Sequence, residues 1–380
     1  MTQPAYPAAR IVSARLAEIF EEHRQALAPT ATAPLASIPP PRIIESMVDT
    51  AFWTSLRREE QHSPQIALAY VSPEHASPAL EFEHPLNLHP TSLTKIAPGM
   101  ERPGIYLGVR GSQDQLVVWG ATRTIPTLCF VVEALAPGLI VIKYRQNDEG
   151  AKFVNVAVLE GDQIKILDRN FSKITSCPSV VGSLLGLESF TTRSSDASNI
   201  LIRLAISMRA HGRGGSLLVV PRASDSWRSS IAHPITYALS PAHTVLSTLI
   251  REGAGDRGQR KWNDAVNRVI DWVAGMTAVD GATIITEDGD VLAFGAKIIR
   301  KPQSVVCERV SISEPVEGSE SMTVHPTQLG GTRHLSAAQF AHDQRDAIAL
   351  VASQDGPFTV FAWSACDSLV EGFRVEALLL

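Results

Sequence analysis

Residues 8–27 place Ile11, Val12, Leu16, Ile19, Phe20 and Leu27 at three-to-four-residue spacing, with Glu18, Glu21 and Arg24 between them, which predicts an amphipathic helix. The following stretch APTATAPLASIPPPR carries five prolines and predicts an extended linker, because proline removes a backbone donor and blocks helical propagation. A second amphipathic helix is expected from Ile44, Met47, Val48, Ala51, Phe52 and Leu56. From about Ile66 to Asp168 the period changes to two. The segments IALAYV, IYLGV, QLVVWG, TLCFVVEAL, GLIVIKY, FVNVAVLE and QIKILD, separated by turn residues such as Pro137-Gly138 and Gly161-Asp162, predict an antiparallel sheet or small barrel.

Residues 171–198 are rich in Ser and Thr around VVGSLLGL and read as a connector. Beyond it the pattern alternates. A helix is predicted over Ile200–Arg209, a strand over Ser216–Pro221, helices near Pro241–Arg251 and Gln259–Met276, and a strand over Ala282–Thr286. Such alternation predicts an α/β layer on a mixed sheet flanked by helices. The expected organisation is therefore N-terminal helices with a Pro-rich linker (1–62), a β-rich and possibly sensory domain (63–197, making the N-terminal part α+β), and an α/β domain (198–380).

Length agrees with more than one domain, since 380 residues exceed the roughly 250–300 at which a single core stops growing. The net charge of −5 removes the simplest argument for nucleic-acid binding, which normally shows as a basic face. Cys129, Cys177, Cys307 and Cys366 form no CxxC pair and no zinc spacing, so reduced thiols in a cytoplasmic protein are expected. Met1–Arg15 lacks the pattern of a secretory leader, and no stretch reaches the ~20 apolar residues that span a bilayer, so no membrane partner is expected.

Few residues offer chemistry. Glu81, Glu83, His84 and His89 in EFEHPLNLH resemble metal ligands, but the proline predicts an irregular loop and no further ligand is spaced to join them. Trp119 sits in a strand pattern and reads as packing. HGRGGS at 211–216 lacks the Lys-Ser/Thr of a P-loop and precedes a strand, so it reads as a tight helix-to-strand turn. Asp280 stands where a helix hands over to a strand and is followed by Gly281-Ala282; it is either a hard oxygen ligand with room beside it or an ordinary hairpin-entry carboxylate. Gln328-Leu-Gly-Gly-Thr-Arg-His leads into a helix starting near Thr332 or Arg333. Its N-terminus, with the Thr332 hydroxyl and Arg333 guanidinium, suits phosphate oxygens, unless it is a capped surface helix.

Taken together, VDGATIITEDGDVLAFGAKI resembles the DGA motif and following hairpin, and GGTRHLSAA the GTRHR motif, of the diadenylate-cyclase domain found in the bacterial DNA-integrity scanning protein and membrane cyclases. DAIALVASQDG and PFTVFAW resemble that family's next turn and strand, and LIRLAISMRAHGRGGSLLVVP its opening helix and strand. With a β-rich N-terminal region, the chain looks closer to the family's predicted nucleotide-sensor branch, the DACNV-like proteins. The resemblance implies a site that binds ATP or a related nucleotide with Mg²⁺ or Mn²⁺. Asp280 would hold the metal and activate a ribose 3′-hydroxyl. Gly281, Ala282 and Gly295 would lie against the nucleotide, Gly331 and Thr332 with the catalytic pair Arg333 and His334 would hold phosphates, and Ser353 would approach from the next turn. Two sites face to face imply a homodimer or higher homo-oligomer.

Two departures bear on catalysis. Leu335 stands where the family has a second arginine, and Ser353-Gln354 where it has Ser-Glu, with Asp355 one position later. Lys297, Arg300 and Lys301 either replace the charge that Leu335 removes or form a solvated strand edge, the latter being preferred. Three functions are consistent with these residues: a nucleotide-binding sensor in bacterial cyclic-dinucleotide signalling or defence, an active nucleotidyltransferase making c-di-AMP from two ATP, and a non-catalytic interaction scaffold.

Overall fold

A computed structural model describes residues 5–31, 34–112, 115–146, 153–168, 196–252 and 260–380. The chain divides into two compact units, 1–167 and 168–380, both mixed α/β, with seven α-helices among the described residues. The N-terminal helices share a unit with the β-rich segment. Of the connector expected at 171–198, residues 171–195 lie outside the described residues.

In unit 1, α1 (Pro7–Leu27) and α2 (Pro41–Ser55) both begin with proline at the first turn, where its missing N–H costs nothing. Their apolar faces are buried, through Leu16 and Phe20 on α1 and Ile44 and Met47 on α2. The sheet comprises β1 (Ile66–Tyr70), β2 (Ala79–Asn87), β3 (Tyr106–Ser112), β4 (Gln115–Thr122), β5 (Phe130–Ala136), β6 (Leu139–Arg145), β7 (Phe153–Glu160) and β8 (Gln163–Ile166), in the order β2-β4-β3-β1-β5-β6-β7-β8. It is open and mixed: β1 runs parallel to β3, reached through α3 (Pro90–Met100), and the other pairs are antiparallel. Two expectations change here. EFEHPLN lies in the edge strand β2, whose register shift between Glu81 and Leu86 accommodates Pro85; an edge strand can spare a donor. His89 is the N-cap of α3, its Nδ1 accepting from Thr91 N at 3.2 Å. Trp119 is core, 2% exposed, with Nε1 donating to Val71 O at 2.7 Å.

Unit 2 contains α4 (Asp196–Ala210), α5 (Val245–Glu252), α6 (Arg260–Met276) and α7 (Thr332–Asp343). Its nine strands are β9 (Gly215–Val220), β10 (Tyr237–His243), β11 (Ala282–Thr286), β12 (Val291–Ala296), β13 (Val310–Ser313), β14 (Met322–Val324), β15 (Ile348–Ala352), β16 (Phe358–Ser364) and β17 (Leu369–Arg374), ordered β10-β12-β11-β9-β15-β16-β17-β13-β14. Alternate residues of β9 enter different cores. Leu217 and Val219 join Leu204, Met208, Ile270 and Val273 of α4 and α6, whereas Leu218 and Val220 join Ala337, Ala338, Phe340 and Ala341 of α7. Helices thus cover both faces, which is why these strands read as continuous apolar runs. Pro241 lies in edge strand β10, not at a helix start as expected; α5 begins at Val245.

Cys129 and Cys307 are free and buried, as expected. Cys366 is disulfide-bonded, which corrects the expectation of a reduced thiol there; wide spacing in sequence places no limit on distance in the fold.

Candidate functional site

Strands β9 and β11 lie parallel and adjacent, with Ser216 in register with Ala282, and Ala282 in turn opposite Ala296 near the end of β12. One row across three strands therefore ends at the same sheet edge. Gly281 makes the entry to β11 possible: its φ of +106° favours glycine, and a methyl group there would come within 2.5 Å of the Gly295 carbonyl carbon. Gly295 is itself at φ +63°. The backbones of the two glycines are in close apposition, and Asp280 emerges exposed beside them.

Helix α7 arrives at this edge with its N-terminus. Gly331 is the N-cap, in extended conformation and without a side-chain cap, and Thr332 is the first helical residue. Gly330 has a different task, since a side chain there would come within 2.5 Å of His334 Nδ1. The result is a cavity of about 260 Å³ lined by Asp280, Gly281 and Ala282 on one side and Thr332, Arg333 and Ser336 on the other, with Ser216, Ala296, Lys297 and Ile298 completing the wall. The two segments that carry the diadenylate-cyclase resemblance meet.

A third segment joins them. Gly214, at φ +67°, lies so close to α7 that a methyl group there would stand 2.9 Å from Arg333 Nη1 and 3.2 Å from Ala352 O. Gln354 Nε2 donates to Arg213 O at 3.1 Å. The 211–216 turn, the start of α7 and the Ser353 turn therefore pack together, although Ser353 and Gly331 do not line the cavity. Gln354, standing where the diadenylate-cyclase motif that the sequence resembles has a glutamate, ties two loops together.

His334 points away from the cavity. It is 2% exposed, edge-on to Phe361 at 6.1 Å, and within 3.5 Å of Thr359 Oγ1. Burial, with the Arg374 guanidinium second, holds its imidazole below the usual histidine range, so it stays neutral at physiological pH. Placed there, it props the first turn of α7 against the sheet and does not reach a ligand in this cavity.

Ser216 and Ser336 are lining residues that sequence reasoning does not single out, and Lys297 is one for which it prefers a solvated edge. Lys297 lines the cavity and is not merely a solvated edge residue, whereas Lys301 belongs to a different hollow, beside Asp343 at the far end of α7. Ser336 lies one helical turn beyond Thr332, a spacing that places both on one face. Ser216 follows the glycine pair that opens β9. Asp280, Ser216, Thr332 and Ser336 supply hard oxygen atoms, and a single carboxylate with hydroxyls fits a Mg²⁺ or Mn²⁺ ion that takes its remaining oxygens from phosphates and water. Among the described residues no cluster of three or more His, Cys, Asp or Glu forms an all-protein metal site, the Glu81–His84 group included.

A family model described as "Probable sensor domain DACNV" matches residues 33–123. The match lies in unit 1, from the extended segment before α2 to just after β4, so the sensor likeness belongs to that unit and not to the half that carries Asp280. No curated protein matches the chain.

Proposed function

We propose that this chain is a sensor protein in which unit 1 receives the signal and unit 2 binds ATP or a related nucleoside triphosphate at the Asp280–Arg333 cavity. The observation that carries the nucleotide reading is the convergence of Asp280–Ala282 with Thr332–Arg333 on one cavity. A carboxylate facing a guanidinium, an ammonium and a helix N-terminus matches a metal–polyphosphate better than it matches an uncharged ligand. Thr332, Arg333 and Lys297 meet phosphate oxygens, Asp280 holds the ion with Ser216 or Ser336 nearby, and Gly281 lets the ligand approach the backbone, whereas Gly295 lies outside the lining and makes room for Tyr237. The metal, when bound, neutralises phosphate charge and polarises phosphorus toward attack.

Diadenylate-cyclase activity is the second reading, favoured by the position of Asp280 inside the same cavity as Arg333. In that reaction a ribose 3′-oxygen loses its proton, bonds to the α-phosphorus of a second ATP, and pyrophosphate leaves; a second such displacement within the linear dinucleotide releases another pyrophosphate and closes c-di-AMP. Two copies of unit 2 must then face each other, so the cyclase reading requires a homodimer or higher homo-oligomer. Leu335 weighs against it, because loss of one phosphate-stabilising donor costs on the order of a hundred- to a thousandfold in rate. That cost falls on a catalyst more than on a receptor. A scaffold role has no comparable support, since the cavity keeps its charged groups.

Among the described residues no helix is long and apolar enough to cross a membrane. A cytoplasmic setting, where nucleoside triphosphates are abundant, goes with the proposal, and the disulfide at Cys366 is the observation that pulls the other way.

The deciding experiment combines calorimetric titration with ATP and Mn²⁺ and product analysis by chromatography. Binding that is lost in Asp280→Asn supports the sensor reading, and a cyclic dinucleotide product raises it to the cyclase reading. Absence of binding to all four nucleoside triphosphates overturns both.

A further inference from the structure

A second cavity lies wholly within unit 1, where β1 ends beside the parallel strand β3. Four segments build it: extended Pro34–Ser37, the exit of β1 from Tyr70 to Ser72 with His75, Val109-Arg110 on β3, and Pro126. The first acts as a strap, since Ala36 N donates to Thr127 O at 2.9 Å and Ala36 is buried in the same cluster as Val71 and Trp119. The floor is fixed as well. Val71 N donates to Val109 O at 3.1 Å and Val71 O accepts from Trp119 Nε1 at 2.7 Å, so the walls do not depend on mobile side chains. In open sheets with parallel strands, ligands favour the carboxyl ends of those strands.

Size and lining define what fits. At about 180 Å³ the space equals roughly six water volumes and is smaller than the 260 Å³ cavity of unit 2, so what it can enclose is a small molecule. Leu35, Val71, Val109 and Pro126 give an apolar slot, and Ser72, His75 and Arg110 give a polar rim. On that rim Ser72 Oγ lies 3.0 Å from His75 Nδ1. The Glu74 carboxyl, held below its ordinary range first by a hydrogen bond from Ser72 and then by its own backbone, also feels His75 and Arg110. A guanidinium carries five N–H donors, more than one neighbouring carboxylate uses, and its fork matches a second carboxylate.

We propose that this cavity is the effector site of unit 1 and takes a small monocarboxylate with a hydrocarbon body of about ten non-hydrogen atoms or fewer. The purpose rests on the sensory reading of unit 1; the binding itself does not. Calorimetric titration of the full chain with acetate, butyrate, benzoate and the uncharged benzamide tests it. Affinity should rise about fourfold per added methylene from acetate to butyrate, and benzoate should bind at least about tenfold more tightly than benzamide. Arg110 is exposed, so Arg110→Gln should keep the unfolding midpoint while weakening benzoate about tenfold. No saturable binding of any carboxylate, equal binding of benzoate and benzamide, a flat alkyl series, or unchanged affinity in Arg110→Gln would each overturn the proposal. A parallel ATP titration separates its failure from that of the nucleotide reading, which uses other residues in another unit.

Discussion

The sheet of unit 2 is covered by helices on both faces, and the sheet of unit 1 is closed near β1 and β3 by an extended strap. The consequence is where polar groups can collect. In unit 2 the interior of β9, β15 and β16 is apolar on both sides and carries no charged group, and three parts of the chain, the start of β9, the β11–β12 hairpin and the start of α7, bring Ser216, Asp280, Lys297 and Arg333 to one edge. In unit 1 the strap leaves a small, mostly apolar slot with its polar groups on the rim. Full coverage concentrates chemistry at an edge; partial coverage leaves a receptor-sized hollow.

Perturbations of decreasing size test that contrast. Trp119→Ala removes the side chain that braces the β1 exit and should cost about 3–5 kcal/mol in denaturant unfolding followed by circular dichroism. Gly281→Ala places a methyl group against Gly295 at a left-handed φ and should cost about 2 kcal/mol or more, with loss of nucleotide binding; an unchanged midpoint would show that the glycine apposition is not needed. Arg333→Ala should weaken ATP on the order of tenfold to a hundredfold by calorimetry and leave benzoate binding alone. Lys297→Met, at an exposed position, should weaken ATP about fivefold or less and adenosine not at all.

The last test uses pH. Burial, followed by the neighbouring Asp367, pushes the Glu371 carboxyl on β17 up to about 7. The unfolded chain releases that proton near 4.5, so the stability tied to the protonated carboxyl is full below that pH and is lost as pH rises through about 7. Glu371→Gln should therefore raise the melting temperature more at pH 8 than at pH 5; equal shifts would refute the assignment. His334 works in the opposite sense. Its imidazole is held neutral, so stability falls as pH drops below the range in which the unfolded histidine takes up its proton.

Periodicity was enough to read α1, α2, seven of the eight strands of unit 1 and the alternation of unit 2, because each is recorded in the burial of a single element. Six strands and helices escaped it, the short β13 and β14 and the strand β17 among them. β2 and β10 are edge strands containing Pro85 and Pro241, and they lack the apolar alternation of a half-buried strand, while α3 encloses Pro98. Asp280, Thr332 and Arg333 stand out by residue type and spacing. Ser216 does not, and the choice between Lys297 as a lining cation and as a solvated edge residue cannot be made from sequence, because both positions depend on the register of β9, β11 and β12. The inward turn of His334 depends on Gly330, where a missing side chain makes the space.

Strand β2 looked like a possible ligand cluster, and its residues carry a different burden. It forms one border of an eight-stranded sheet and is exposed along most of its length. A border strand of that length offers unpaired backbone groups to any neighbouring molecule. Glu81 and Glu83 put like charges on that border, Pro85 withholds a donor, and the register shift beside it breaks the flat line that another strand would need. Replacing this stretch with alternating valine and threonine would leave the fold's pairing intact and invite fibrous self-association.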